Sequence, residues 1–266
     1  LASIAATGFE NARLYGSLQD QDRRKDEFLA MLAHELRNPL APIAAAAEML
    51  KFGTANEERV RRSSEVISRQ VRHMTSLVDD LLDVSRVTRG LIKLDRALLD
   101  PMQLVANAVE QSQPLITARG HTLTVTGDAA GAHIAGDAHR LVQVLANLLN
   151  NAAKYTSHGG RIALTVAREQ ETVAITIRDN GVGIDASLLP RMFDLFTQAE
   201  RSPDRAQGGL GIGLALVRSI IDLHGGDVIA ASDGIGRGST FTVRLAIADT
   251  VTGAVDATDA LRLQQR

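Results

Sequence analysis

Three glycine clusters, DNGVGID (179–185), GGLGIGL (208–214) and GIGRGST (234–240), punctuate the second half of a 266-residue chain. In the first, a carboxylate, Asp179, ends a strand-like run and is followed by Gly181 and Gly183. Glycines at that spacing let a flat ring approach the backbone, and the carboxylate can accept a hydrogen bond from an exocyclic amine such as that of adenine. The second cluster, with Gly209, Gly211 and Gly213, opens a helical stretch whose free backbone N–H groups suit an anion such as phosphate. Upstream, Asn147, Asn151 and Lys154 follow steps of 4 and 3 and so share one helical face, with Tyr155 adjoining. Amide oxygens suit Mg²⁺, and a lysine there can meet phosphate charge. Each feature taken singly has a plainer reading, a turn or a solvated face. Their order along the chain favours a nucleotide site. Neither a GxxxxGK[ST] loop nor a GxGxxG following a strand is present, which excludes the ordinary P-loop and Rossmann designs.

A second unusual stretch, AHELRNPLAPI from Ala33 to Ile43, puts two prolines among helix formers. In a helix, Pro39 deletes the bond to the Glu35 carbonyl and Pro42 the one to Asn38, each at roughly 3 kcal/mol. Two readings stay open: a static kink that suits packing, or a weakened ladder that lets the helix bend beside His34. The other histidines, at 73, 121, 133, 139, 158 and 224, form no metal spacing such as HxH or HExxH. His224, just before Gly225 and Gly226, is expected to cap a helix C-terminus, where the dipole favours a cation.

The elements that must carry these residues follow from apolar spacing. One long helix is predicted from about residue 8 to 51, a turn at FGTANEE (52–58), and a second helix with a seam of Val60, Ile67, Val71, Met74, Val78, Leu81 and Ser85. Such a hairpin has more apolar face than it can bury alone, and pairing into a dimeric four-helix bundle would cover it. Arg62, Arg69 and Arg72 recur on one side of that second helix, as a solvated face or as a dock for an acidic partner. Past Gly90 the elements become shorter and mixed. Helices are predicted at 101–116, 137–155 and 210–224, and strands at 121–127, 161–169, 172–179, 227–232 and 239–247. The turn REQET (168–172) sets two of these strands antiparallel, which makes the region α+β.

Bulk composition narrows the function. The net charge of -2 gives no electrostatic reason to bind nucleic acid or an anionic membrane. With no cysteine, disulfides, thiol catalysis and cysteine-ligated zinc are excluded, and a cytoplasmic setting is the default expectation. The longest apolar run, residues 39–47, is too short to span a bilayer, so no membrane contact is expected of this fragment of a longer chain.

At this point NLLNNAAKYT, DNGVGID, FDLF, GGLGIGL and GRGSTF resemble, in order, the N, G1, F, G2 and G3 boxes of the ATP-binding domain of sensor histidine kinases, and HELRNPL resembles the family's H box. The resemblance covers about residues 22–248. It implies an antiparallel helical hairpin forming a dimeric four-helix bundle, followed by a two-layer α/β sandwich of Bergerat ATPase type. Four parts are expected: a signalling helix at 1–20 that resembles the end of a GAF-type sensor, a dimerisation and phosphotransfer domain at 21–92, a catalytic domain at 93–248, and a tail or linker at 249–266.

Carried over by position, the resemblance makes His34 the phosphoacceptor, Glu35 its general base, and Asn38 a residue that positions water for dephosphorylation. Asn151 becomes the Mg²⁺ ligand, assisted by Asn147, with Lys154 and Tyr155 along the phosphates and sugar. Asp179 reads the adenine amine, Gly181 and Gly183 admit the ring, and Thr240 supports that edge. Gly209, Gly211 and Gly213 hinge a lid at 197–209, where Gln198 stands in place of an arginine that some relatives carry. The implied cofactors are ATP and Mg²⁺, and the implied partners are a second copy of the chain, a response-regulator receiver domain and an upstream sensor domain. A nucleotide-gated scaffold without strong catalysis remains an alternative. Another Bergerat-fold ATPase would leave the HELRNPL hairpin unexplained.

Overall fold

A computed structural model describes residues 15–16, 30, 32–51, 56–88, 93–195, 197 and 211–248. They form two compact units, one of the described residues up to 84 together with 211–212, the other of residues 85–197 together with 213–248. In the first unit, helix α1 spans residues 32–51 and α2 spans Glu57–Thr88. Helix α1 runs unbroken through both prolines, with Pro39 buried. Helix α2 starts where the Asn56 side chain accepts the Arg59 N–H at 2.9 Å, followed by Glu57 and Glu58, whose charges suit the positive end of the dipole. Arg62 pairs with Glu58 one turn on, and Arg69 and Arg72 are exposed, as a solvated face requires.

The apolar seam expected along α2 is only partly right. Ile67, Met74, Leu81 and Ser85 are half-buried, but Val60, Val71 and Val78 are 44%, 48% and 44% exposed. The buried positions are Ser63, Leu77 and Asp83. The spacing fixed the period of the seam but not its phase, because apolar residues occur on both sides of the buried stripe. What is left is a second apolar face on α2, extended by Leu82; Leu40 and Met49 of α1 are exposed as well.

The second unit is a five-stranded sheet under a layer of helices. Its elements are β1 (Ala97–Leu99), α3 (Pro101–Ala118), β2 (Thr122–Asp128), β3 (Ile134–Gly136), α4 (Ala138–Tyr155), β4 (Arg161–Glu169), β5 (Thr172–Asp179), a 3-10 turn at Leu189–Arg191, α5 (Gly213–Leu223), β6 (Asp227–Ala231) and β7 (Thr240–Ala246). The sheet order is β2-β4-β5-β7-β6, with β2 parallel to β4 and every other pair antiparallel. The short pair β1–β3 was missed in the sequence because three residues give no periodicity to read. The REQET hairpin closes as expected, with Gln170 at φ 50°.

Asp100 and Asp137 cap α3 and α4, accepting the Met102 and Arg140 N–H groups at 2.8 and 3.1 Å. Strand β4 alternates over residues 161–166, burying Ile162, Leu164 and Val166 in one core with Leu145, Leu148 and Leu149 of α4 and the apolar stripe of α5. The opposite sheet face is polar, with hydroxyl pairs Thr126–Thr165 and Thr176–Thr242 at 3.2 and 3.1 Å.

Candidate nucleotide-binding site

Strand parity aims Asp179. Val173, Ile175 and Ile177 are the inward positions of β5, and Asp179 is the next one, at the strand's end and only 5% exposed. A buried carboxylate needs donors. Oδ1 accepts the Gly181 N–H at 2.8 Å and the Ser239 N–H at 3.3 Å, while Oδ2 accepts the Ser239 hydroxyl. A carboxylate offers about four acceptor positions. Three are used here, and the one left on Oδ2 can take an N–H from a ligand.

Ser239 was not chosen from the sequence, which favoured Thr240. Phe241, Val243 and Leu245 are the inward positions of β7, so Ser239 shares their parity, whereas Thr240 stands opposite Arg178 on the other face. Counting back by twos from Phe241 would have found it.

The glycine turn after Asp179 is clasped by the loop between β6 and β7. The Gly236 N–H donates to the Val182 carbonyl at 2.7 Å, and the Gly238 N–H to the Gly181 carbonyl at 3.1 Å. Gly183 sits at φ +69°, and a Cβ there would lie 2.0 Å from the Gly234 carbonyl oxygen. The turn therefore needs glycine for both conformation and space. Ser232 completes the clasp: its hydroxyl accepts the Ile184 N–H at 3.0 Å and donates to the Gly238 carbonyl at 2.7 Å.

On the other side, the C-terminus of α4 abuts the same turn, since the Val182 N–H donates to the Tyr155 carbonyl at 3.1 Å. Asn147, Asn151 and Lys154 are half-buried on α4, Tyr155 is exposed, and the Lys154 ammonium lies 5.2 Å from the Tyr155 ring centroid. The donor set fits the expected ligands: amide oxygens and an ammonium beside a carboxylate with one open acceptor and glycines that leave the backbone bare. Among the described residues, no group of three or more His, Cys, Asp or Glu could hold a metal.

Of the other expected site residues, Gly211 lies at φ +67° and Gly213 opens α5, three residues later than the predicted start at 210. Gly209, Gln198 and the proposed lid other than Thr197 lie outside the described residues, as do most of 1–20 and all of 249–266. In the helical unit, His34, Arg37 and Asn38 are all exposed, at steps of 3 and 1 that keep them on one side of α1, while Glu35 is 8% exposed.

The expectation for His224 needs correction. It does cap its helix, with Nδ1 bonded to the Ile220 carbonyl at 2.7 Å, but it is not a cation. Nε2 accepts the Asp137 N–H at 3.0 Å, which requires that nitrogen to be unprotonated. Burial is the main cause holding its pKa below the usual histidine value, opposed by the Ile220 carbonyl; Arg96 lowers it further and Asp137 raises it.

A mixed sheet covered by helices on one face, with a buried carboxylate at a strand end and glycine turns on either side, defines an ATPase-type nucleotide-binding domain. Residues 136–249 match the family model described as histidine kinase-, DNA gyrase B- and HSP90-like ATPase, and residues 24–90 match that of the His Kinase A phospho-acceptor domain. Together the two matches define a sensor histidine kinase catalytic core.

Among relatives, sensor histidine kinase RppB of Synechocystis sp. is 30% identical over 92% of this chain and 53% of its own length. Among solved structures, full-length ShkA in complex with AMPPNP is 28% identical, with a TM-score of 0.63 over 84% of this chain and 46% of that one. Histidine kinase ThkA in complex with the response regulator TrrA shares the fold at 21% identity, with a TM-score of 0.61 over 84% of this chain and 61% of that one. The chain spans 18% to 53% of the length of eight curated relatives that it matches.

Proposed function

We propose that the chain autophosphorylates His34 from Mg-ATP and passes the phosphoryl group to an aspartate of a response-regulator receiver domain. The observation that carries the nucleotide half is the Asp179 carboxylate, fixed by three protein donors with one acceptor position left for the adenine amine. Gly181 and Gly183 leave room for the ring, and Lys154 and Tyr155 lie toward the phosphates and sugar. Asn151, with Asn147, would hold Mg²⁺, whose charge offsets that of the phosphates. Gly211 and Gly213 supply the backbone freedom expected at a hinge beside the nucleotide, and Thr240 stays outside the base contact.

At the acceptor, one imidazole nitrogen of His34 attacks the γ-phosphorus as the bond to the bridging oxygen of ADP breaks. Glu35 takes the proton from the other nitrogen, which strengthens the nucleophile as positive charge forms. Arg37 steadies the phosphoryl group, and Asn38 orients water for the reverse, phosphatase reaction at the regulator. The AMPPNP complex of ShkA and the regulator complex of ThkA support these ligand and partner classes. The exposed apolar face of Val60, Val71, Val78 and Leu82 supports a homodimer through the helical pair. We place the phosphotransfer domain at 21–92 and the catalytic domain at 93–248, in the cytoplasm, downstream of a sensor domain.

Incubation with γ-labelled ATP and Mg²⁺ tests the reading. Label that is acid-labile and alkali-stable, and absent from His34→Gln, is expected. Equal labelling of the variant would refute the assignment of His34.

A further inference from the structure

A helix end leaves its last four carbonyls without intrahelical partners, to be satisfied by side chains, water or a tightened last turn. At the end of α4 every one is claimed by protein. The Ala152 carbonyl accepts the Thr156 N–H at 3.1 Å and the Tyr155 carbonyl accepts the Val182 N–H at 3.1 Å. The two between them are taken by side chains from the turn after α3: His121 Nε2 meets the Ala153 carbonyl at 2.9 Å, and Arg119 Nη1 donates to the Lys154 carbonyl at 3.1 Å. A carbonyl can only accept, so His121 must carry its proton on Nε2.

The turn bearing these two residues is itself bound to the loop that follows α4. The Gly159 N–H donates to the Arg119 carbonyl and the Thr122 N–H to the Gly160 carbonyl, both at 3.0 Å. The loop in turn holds the start of the glycine turn, where Asn180 Oδ1 accepts the Arg161 N–H at 2.7 Å and the Asn180 N–H donates to the Arg161 carbonyl at 3.2 Å. One continuous set of bonds thus runs from Arg119 and His121, through the end of α4, to the residues flanking Asp179.

We infer that Arg119 and His121 are positioning residues for the nucleotide: by capping the Ala153 and Lys154 carbonyls they fix the end of α4, and with it Lys154, Tyr155 and the Tyr155–Val182 link to the glycine turn. Neither residue touches the ligand. Arg119 adds positive charge at the negative end of the α4 dipole, and His121, 9% exposed, makes its cap out of reach of competing water. Neither lies in a nucleotide-binding motif, so no motif search would select them.

The inference rests on the nucleotide reading of the site, and kinetics on the full chain separate the two. Arg119→Met and His121→Phe are expected to raise KM for ATP about tenfold, the cost of one well-made hydrogen bond, with kcat within about twofold. Arg119→Lys and His121→Gln, which keep a donor, are expected to recover KM to within about threefold. Circular dichroism confirms that each assayed variant is folded. Unchanged KM in folded Arg119→Met and His121→Phe would overturn the inference while leaving the site intact. So would a loss confined to kcat, or conservative variants no better than the others. A wild-type chain that binds no ATP would instead overturn the reading of the site, and the inference with it.

Discussion

Replacing Gly183 by alanine puts two separate costs on one atom. At φ +69° an alanine pays roughly 1 kcal/mol for the left-handed conformation. Its Cβ would also stand 2.0 Å from the Gly234 carbonyl oxygen, a backbone atom that cannot rotate away. Relieving that contact moves the 234–238 loop by about 1 Å or more, which breaks or stretches the Gly236–Val182 and Gly238–Gly181 bonds at 2.7 and 3.1 Å. Each is worth about 1 kcal/mol net, so Gly183→Ala is expected to destabilise the catalytic unit by about 3 kcal/mol. For a unit of this size that lowers the melting temperature by roughly 10 °C.

Gly225→Ala is the control. It shares the backbone term, at φ +70°, but its Cβ meets nothing within 4 Å, so about 1 kcal/mol is expected. Thermal unfolding by circular dichroism, with titration of a fluorescent ATP analogue below the transition, reads both terms. Gly183→Ala should melt lower than Gly225→Ala and bind the analogue more weakly. Equal melting temperatures for the two would refute the close approach of the two loops as the reason for glycine at 183.

The remaining predictions concern the carboxylate and the buried histidine. Ser239→Ala removes the hydroxyl from Asp179 Oδ2 and should weaken nucleotide binding by roughly tenfold, more than Thr240→Val, which alters the outer face; isothermal titration calorimetry compares the two. Because the folded pKa of His224 lies below the ordinary value of about 6.5, the unfolded chain binds the extra proton between the two values. Its contribution to stability is therefore whole above about pH 6.5 and is lost as pH falls through the folded pKa. Urea unfolding at pH 8 and pH 5 should show a smaller loss on acidification for His224→Gln than for the wild type, and equal losses would remove the ring from the account.

Sequence alone determined the chemistry available and its order along the chain. Carboxylate, asparagines, lysine and glycines at those spacings could be read without coordinates, because residue type and the periods of helix and strand are local properties. The β4–β5 hairpin and the three helices of the catalytic unit were legible for the same reason. What only the tertiary structure decided were matters of phase and partnership. The α2 seam is only partly covered, Ile67, Met74, Leu81 and Ser85 being half-buried and Val60, Val71 and Val78 exposed, because burial depends on packing partners that spacing does not place. The hydroxyl on Asp179 came from Ser239, because β7 lies against β5 in one register and side chains alternate. His224 caps a helix end as its position foretold, yet it is neutral, because folding brought the Asp137 N–H to its second nitrogen from 87 residues away. Arg119 and His121 reach the end of α4 from 35 and 32 residues away, a contact that no local spacing can encode.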